Sequence, residues 1–476
     1  MVDNLSAASA SATPLGGRQR LALGALGASF LMAALDSTII YPAIPSIAQA
    51  LRLSTASTHW LMSAFLITFG GVLLLSSRLA ELFGRRRLFT TGLAMVTAAS
   101  LLSATAWTGE VLVSARIVQG VGAALVATTA LPLLAMALGP GPARSRALGF
   151  WTLIGAFGGT AGLLLGGLLT DSFGWRWVFL LNVPIGIVAV LLVPILPKDR
   201  CGRSGHPLEV ASATCLISAL ALIGWTIIAA LGPGGLTGGV LLRLTGASVL
   251  LLLGLALEAR TGRRLIRPGP LLSGNRVGSL GVLFIAGTVI EGVLLLITLY
   301  GQEVLGLSAT RFGALMTALT LSSVIGSYLG QAVVLRHGLR LVALAGLSLT
   351  GAGLLALAMV DSPLSTVYLL SVLPLVGVGA GAAFVAAQIG VTLDATEADS
   401  AAASGLSDAS FSMGGALGLA AVSAVLVAQQ SLSQLPAPVG AGLPTAFAVA
   451  AGLTVAGLVA ALLLGQRSAP VVGQGG

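Results

Sequence analysis

Residues 77–89 read SRLAELFGRRRLF, a short basic turn set between two long apolar runs. Working outward from it, the chain repeats one alternation of long apolar run and short polar connection. Its 476 residues are 56% hydrophobic and only 8% charged, and the mean hydropathy is +1.02. A soluble domain carries about 25% charged residues, so this is the pattern of a polytopic membrane protein. The 64 glycines argue for closely packed helices, because small residues let transmembrane backbones approach. The low aromatic share of 5% advertises no broad aromatic-lined cavity.

Apolar stretches of about 20 residues are long enough to cross a bilayer. They place spans at 21–44, 57–77, 87–107, 111–137, 146–169, 176–196, 208–230, 240–258, 277–299, 311–334, 338–360, 364–390, 402–427 and 443–465, about fourteen in all. With the N-terminus in the cytoplasm, nineteen of the 24 basic residues fall on the inner side. Arg52, Arg176, Arg243 and Arg311 fall outside, and Arg116 lies within a span. That asymmetry orients both termini toward the cytoplasm. The acidic inner loop DATEAD (394–399) departs from it, though acidic residues weigh little in orientation. Residues 1–20 and 466–476 read as cytoplasmic tails, the first one disordered.

The net charge of +9 does not point to nucleic acid, because the arginines sit in short clusters between apolar runs rather than in a patch interleaved with aromatics. Cys201 and Cys215 supply no disulfide framework. A Walker pattern needs Gly-Lys-Ser/Thr, and the single lysine, Lys198, stands in PILPKDR. ATP is thereby excluded as an energy source within this chain, and no cofactor is expected. His59, His206 and His337 fall in separate loops and form no metal cluster. Neither a Gly-x-Ser-x-Gly elbow nor a Cys/His pairing is present, so an enzyme is not expected. GVGAGAAF (377–384) has the look of a glycine fingerprint, but inside a span it reads as close packing.

The basic turn has a second copy. VVLRHGLRLV (333–342) follows span ten, and aligning Gly84 with Gly338 brings Arg86 onto Arg340. At nearly the same offset Asp36 in span one meets Glu291 in span nine. Two six-span bundles, 21–196 and 277–465, with two inserted spans over 208–258, account for both matches. Parallel repeats of this kind are a transporter plan, with sites near the midplane between the halves.

Asp36, Arg116 and Glu291 lie well inside spans, each on the order of 10 Å from the outer end at ~1.5 Å per residue. A lone charge at such depth costs ~2.5–3.5 kcal/mol on insertion scales, so these residues usually face a wet interior, pair, and mark ion or proton paths. A carboxyl near Arg116 is therefore a candidate for proton coupling or for binding cationic substrate. The alternative is a fixed structural pair of Asp36 or Glu291 with Arg116. Asp408 lies one to two turns into span thirteen and reads either as a solvated group or as a further coupling residue.

These motifs resemble the major facilitator superfamily, in particular its fourteen-span drug:proton antiporters, over residues 20 to 465. LDSTIIYPAIP (35–45) is similar to that group's first-helix motif, with Tyr41 and Pro42 in place of the more usual Asn-Val. The turn at 77–89 resembles the superfamily's loop between spans two and three, with Ser77 and Glu81 where Gly and Asp are usual. The resemblance implies a cytoplasmic gating loop built from Arg78, Glu81, Gly84, Arg85, Arg86 and Arg87, which latches the inner ends of the halves and contacts anionic lipid. RIVQGVGAAL (116–125) is similar to the span-four motif whose arginine is associated with proton transfer. Gly158, Gly162 and Gly166, with Gly167 beside them, form a packing face like the antiporter motif of span five, although Leu163 stands where that motif has proline. YGQEVLGLSATRFGAL (300–315) resembles the junction of spans nine and ten, and SGLSDASFSMGGALG (404–418) resembles span thirteen, with Asp408 at a position more often Asn.

The reading is a proton-coupled exporter of small lipophilic or cationic compounds, with protons, a small-molecule substrate and membrane lipids as partners and with neither nucleic acid nor ATP. Symport of a small nutrient or ion is the first alternative, kept open by Leu163. A membrane enzyme is the second.

Overall fold

A computed structural model describes residues 16–139, 142–198, 238–261, 274–359, 365–393, 400–432 and 443–465, together with scattered positions between 211 and 226. The described chain is helical, as a bilayer requires, since only a helix or a closed barrel satisfies its own backbone polar groups in lipid. The helices are α1 (Gly17–Asp36), α2 (Ile44–Leu51), α3 (Trp60–Phe83), α4 (Arg85–Ala104), α5 (Gly109–Leu138), α6 (Pro142–Phe173), α7 (Arg176–Leu180), α8 (Asn182–Leu192), α9 (Gly238–Thr261), α10 (Gly274–Leu299), α11 (Ala309–His337), α12 (Leu339–Ala358), α13 (Thr366–Thr392), α14 (Ser400–Leu432) and α15 (Leu443–Leu462). Among the described residues eleven helical stretches are long and apolar enough to cross a membrane, or twelve if the bent pair at the N-terminus is one span. The expected span at 57–77 is α3, apolar over Trp60–Leu73. The expected span at 208–230 lies largely outside the described residues.

Local sequence sets the helix ends. Thr108, Ser308 and Ser365 accept the backbone N–H groups of Val111, Arg311 and Tyr368, capping α5, α11 and α13. The first span is broken. α1 stops at Asp36, a short 3-10 turn runs from Tyr41 to Ala43, and α2 leaves at 43°. Pro42 and Pro45 cannot donate to a continuing helix. Gly84 (φ +89°) joins α3 to α4 and Gly338 (φ +85°) joins α11 to α12. The two positions matched in the sequence therefore adopt one left-handed turn that favours glycine.

Two groups of helices emerge from the packing. In the first, α1 lies against α5, α6 and α8, α4 against α5 and α8, and α3 against α5. In the second, α10 lies against α14 and α15, α11 against α13, and α12 against α13 and α15. The groups meet along two seams, α3 with α14 and α6 with α11. Leu241, Leu242 and Leu252 of α9 are exposed, as suits a lipid-facing helix.

Glycine makes the close contacts. A Cβ at Gly158, Gly162 or Gly166 would run into Ala34, Thr38 or Ile39 of the first span. Gly167 does something else, meeting the Ala309 carbonyl across the seam, while Gly313 answers against the Leu163 carbonyl. In the second group Gly287, Gly414 and Gly418 press α10 and α14 together backbone to backbone.

Candidate functional site

The break in the first span places two groups at the middle of the protein, Asp36 at its rim and Tyr41 just beyond. Asp36 and Arg116 form an ion pair at 2.9 Å, with 1% and 0% of their side chains exposed. Three neutral residues complete the arrangement. Asn182 donates to Asp36 Oδ1 at 2.8 Å, Arg116 donates to Gln119 Oε1 at 3.1 Å, and Gln119 donates to Ser100 Oγ at 2.8 Å. Arg116 also donates to the Leu61 carbonyl at 3.0 Å and lies 4.2 Å from the Phe65 ring centroid. All of these partners belong to the first group of helices. Pairing and these hydrogen bonds offset the cost of burying both charges.

Glu291 is placed differently. It is 9% exposed in the middle of α10, and the Tyr41 hydroxyl donates to its Oε2. The contact joins the two groups, and Gln302 reinforces it by donating to the Pro42 carbonyl at 3.0 Å. Arg116 therefore pairs with Asp36 and not with Glu291. Among the described residues no cation lies in ion-pair contact with Glu291.

Asp408 lies in α14, which starts at Ser400, five residues into its apolar span Ala403–Ala428. It is partly buried, and Gln388 of α13 donates to its Oδ1 at 3.2 Å. In the basic loop, Arg86 donates to the Leu196 carbonyl at 3.2 Å and Arg85 contacts Met136 Sδ at 3.7 Å, both within the first group. Arg87 is exposed and Gly84 is the turn itself. The side chains of Arg78 and Glu81 lie outside the described residues.

Several residues of this site carry no obvious mark in the sequence. Gln119 sits three residues after Arg116, on the same helix face, which is a usable signal. Asn182 is marked only as the asparagine of the Asn-x-Pro run in NVPIG (182–186), which resembles the family's pattern, and Ser100 comes from a distant helix and has no signal. Tyr41 is visible only as a departure from the usual first-helix motif.

Many apolar helices in two groups, joined through the buried Glu291, are the build of a multi-pass membrane protein. The chain belongs to the Major Facilitator Superfamily, whose profile matches residues 26–310 and again 279–475. It is 32% identical over 84% of its length to the puromycin resistance protein pur8 of Streptomyces alboniger, covering 80% of that protein. It is 33% identical over 81% of its length to the cephamycin export protein CmcT of Amycolatopsis lactamdurans, covering 80% of it. The transporter EfpA of Mycobacterium tuberculosis is 33% identical over 68% of this chain, and the chain spans 60% of EfpA's length. Among solved structures, an auto-inhibited POT family peptide transporter shares the fold with a TM-score of 0.68 and 14% identity, over 94% of this chain and 96% of that one. Family and relatives are transporters, not enzymes.

Proposed function

We propose that this protein is a proton-driven exporter of small lipophilic or cationic compounds in the plasma membrane, with both termini in the cytoplasm. One observation carries the reading. Glu291, a carboxyl deep in one group of helices, is held by a neutral hydroxyl of the other group. A carboxyl can meet the bilayer's cost of charge by pairing with a cation or by binding a proton. Asp36 has taken the first course, whereas Glu291 is left the second, at a contact that must break when the groups separate.

In this scheme two six-span bundles, 21–196 and 277–465, rock about the midplane, with the spans over 208–258 inserted between them. Protons reach Glu291 from outside as cargo leaves, and their release to the cytoplasm resets the carrier. The Asp36–Arg116 pair shapes the first bundle around this exchange, and the basic loop from Arg78 to Arg87 closes the inner ends against anionic lipid. The names of pur8 and CmcT favour antibiotic-like cargo.

Symport has one specific observation in its favour, Leu163 in place of the usual proline in an uninterrupted α6. Purified protein in liposomes with an imposed pH gradient decides between them. Antiport predicts cargo accumulating against the proton flow, and accumulation with the flow overturns it. Glu291→Gln is expected to abolish gradient-driven movement of every cargo.

A further inference from the structure

The 3-10 turn Tyr41–Ala43 is fastened at more points than the Tyr41 hydroxyl. On its own side, Thr38 just before it donates to the Gly159 carbonyl of α6 at 2.8 Å. On the far side it meets α10 twice, through Tyr41 on Glu291 and through the Pro42 carbonyl, which accepts Gln302 Nε2 at 3.0 Å. Glu291 and Gln302 stand eleven residues apart, close to three turns of helix, so one side of α10 supplies both contacts.

Local sequence leaves the Pro42 carbonyl open to an outside partner. In 3-10 register the carbonyl of residue 42 is served by the N–H of residue 45, and Pro45 has none. A carbonyl left bare in a bilayer is costly, and Gln302 supplies the donor. Gln302 sits in a π turn, Tyr300–Val304, in which the Leu305 N–H reaches the Tyr300 carbonyl at 3.0 Å. The Leu307 N–H reaches the Gly301 carbonyl at 2.9 Å, and Gly301 is buried against Phe312 of α11. π turns of this kind gather at functional sites. Tyr41 and Pro42 are neighbours in one buried three-residue turn, so holding one holds the other.

We propose that Gln302 is a positioning residue for Glu291, which by occupying the Pro42 carbonyl keeps the Tyr41 hydroxyl on the carboxyl and so governs how readily that carboxyl takes a proton. This role deepens the exporter reading and rests on its assignment of the proton to Glu291. A hydroxyl donated to a carboxylate favours the charged form, so a loosened turn makes protonation easier. The other titratable groups on the elements around Glu291 are engaged elsewhere or distant. Arg116 pairs with Asp36, Asp408 of α14 accepts Gln388, and Tyr368 of α13 donates to the Ala356 carbonyl. α15 carries none, Arg78 and Glu81 of α3 lie twelve or more residues beyond Leu66, and Glu303 is exposed.

Infrared titration of the purified protein tests this. The carbonyl stretch of protonated Glu291 is the band that Glu291→Gln removes, and its pH midpoint needs neither cargo nor a gradient. Tyr41→Phe is expected to raise that midpoint by about one to two pH units, as for a lost hydrogen bond to a charged group. Gln302→Met, which keeps the bulk and removes the donor, should raise it by at least about half a unit. The double variant should stand where Tyr41→Phe alone does, since Gln302 acts through Tyr41. A merely structural Gln302 would lower the melting temperature of Gln302→Met and leave the midpoint in place, which overturns the proposal. An unmoved midpoint in Tyr41→Phe, or shifts that add in full in the double variant, would overturn it as well. A wild-type protein with no titrating band assignable to Glu291 fells the exporter reading too, whereas a band that titrates but ignores Gln302 leaves that reading standing.

Discussion

Asp171 Oδ2 accepts the backbone N–H of Thr310 at 2.8 Å, while its Oδ1 accepts that of Ala309 at 3.1 Å. A carboxylate from the last turn of α6 thus caps the N-terminus of α11, a helix of the other group. The first N–H groups of a helix lack internal partners and carry the positive end of its dipole. An anion there contributes up to about 1 kcal/mol at an exposed site. The cap can form only while the two helices are together. Asp171→Ala is expected to shift the population toward a state open at this end, with Asp171→Asn intermediate. Spin-label distances between α6 and α11 measure the shift, and an unchanged distribution in the alanine variant would refute it.

The same seam predicts a steric effect. Gly167 and Gly313 each face a carbonyl of the opposite helix with no room for a Cβ. Alanine at either position should force α6 and α11 apart, at about 1–3 kcal/mol as for overpacked cores. Gly158→Ala, which meets only the Ala34 side chain inside the first group, should lower the melting temperature while leaving the inter-group distance unchanged.

Asp36→Asn leaves Arg116 buried without its counter-ion, and Arg116→Gln does the converse to Asp36. Each is expected to cost about 3–5 kcal/mol. The double variant should recover a large part of that loss, because the two penalties arise from one pair. Thermal unfolding in detergent completes the cycle. Additive losses would mean that the pair is not the unit it resembles.

Leu163→Pro restores the residue usual in the antiporter motif. Proline there would remove the amide that serves the Gly159 carbonyl in a regular helix. That carbonyl already accepts the Thr38 hydroxyl at 2.8 Å, so it keeps a partner. The substitution should therefore cost less than the ~3 kcal/mol of an ordinary helix interior, as melting temperature will measure.

Much of this architecture can be read from the chain because a bilayer forces hydropathy and backbone bonding to agree. The runs become helices, and Gly84 and Gly338 turn alike because both connections need the same left-handed residue. Buried charges announce themselves by their cost, so Asp36, Arg116 and Glu291 stand out. Their partners do not. Whether Arg116 turns to Asp36 or to Glu291 depends on helix rotations and on the break after Asp36, which periodicity does not specify. Tyr41 meets Glu291 because the first span breaks after Asp36, with Pro42 in the 3-10 turn and Pro45 opening α2 at a new angle. The Asp171 cap joins helices far apart in sequence, and no local pattern predicts it.

Gly287, Gly414 and Gly418 weld α10 to α14 with no side chains between them to reshuffle. The two helices should travel as a single plank, which keeps the interval between Glu291 and Asp408 constant like marks on a ruler. The face that α10 and α14 share would then hold its shape wherever the pair moves, and the contact with Tyr41 would be what changes.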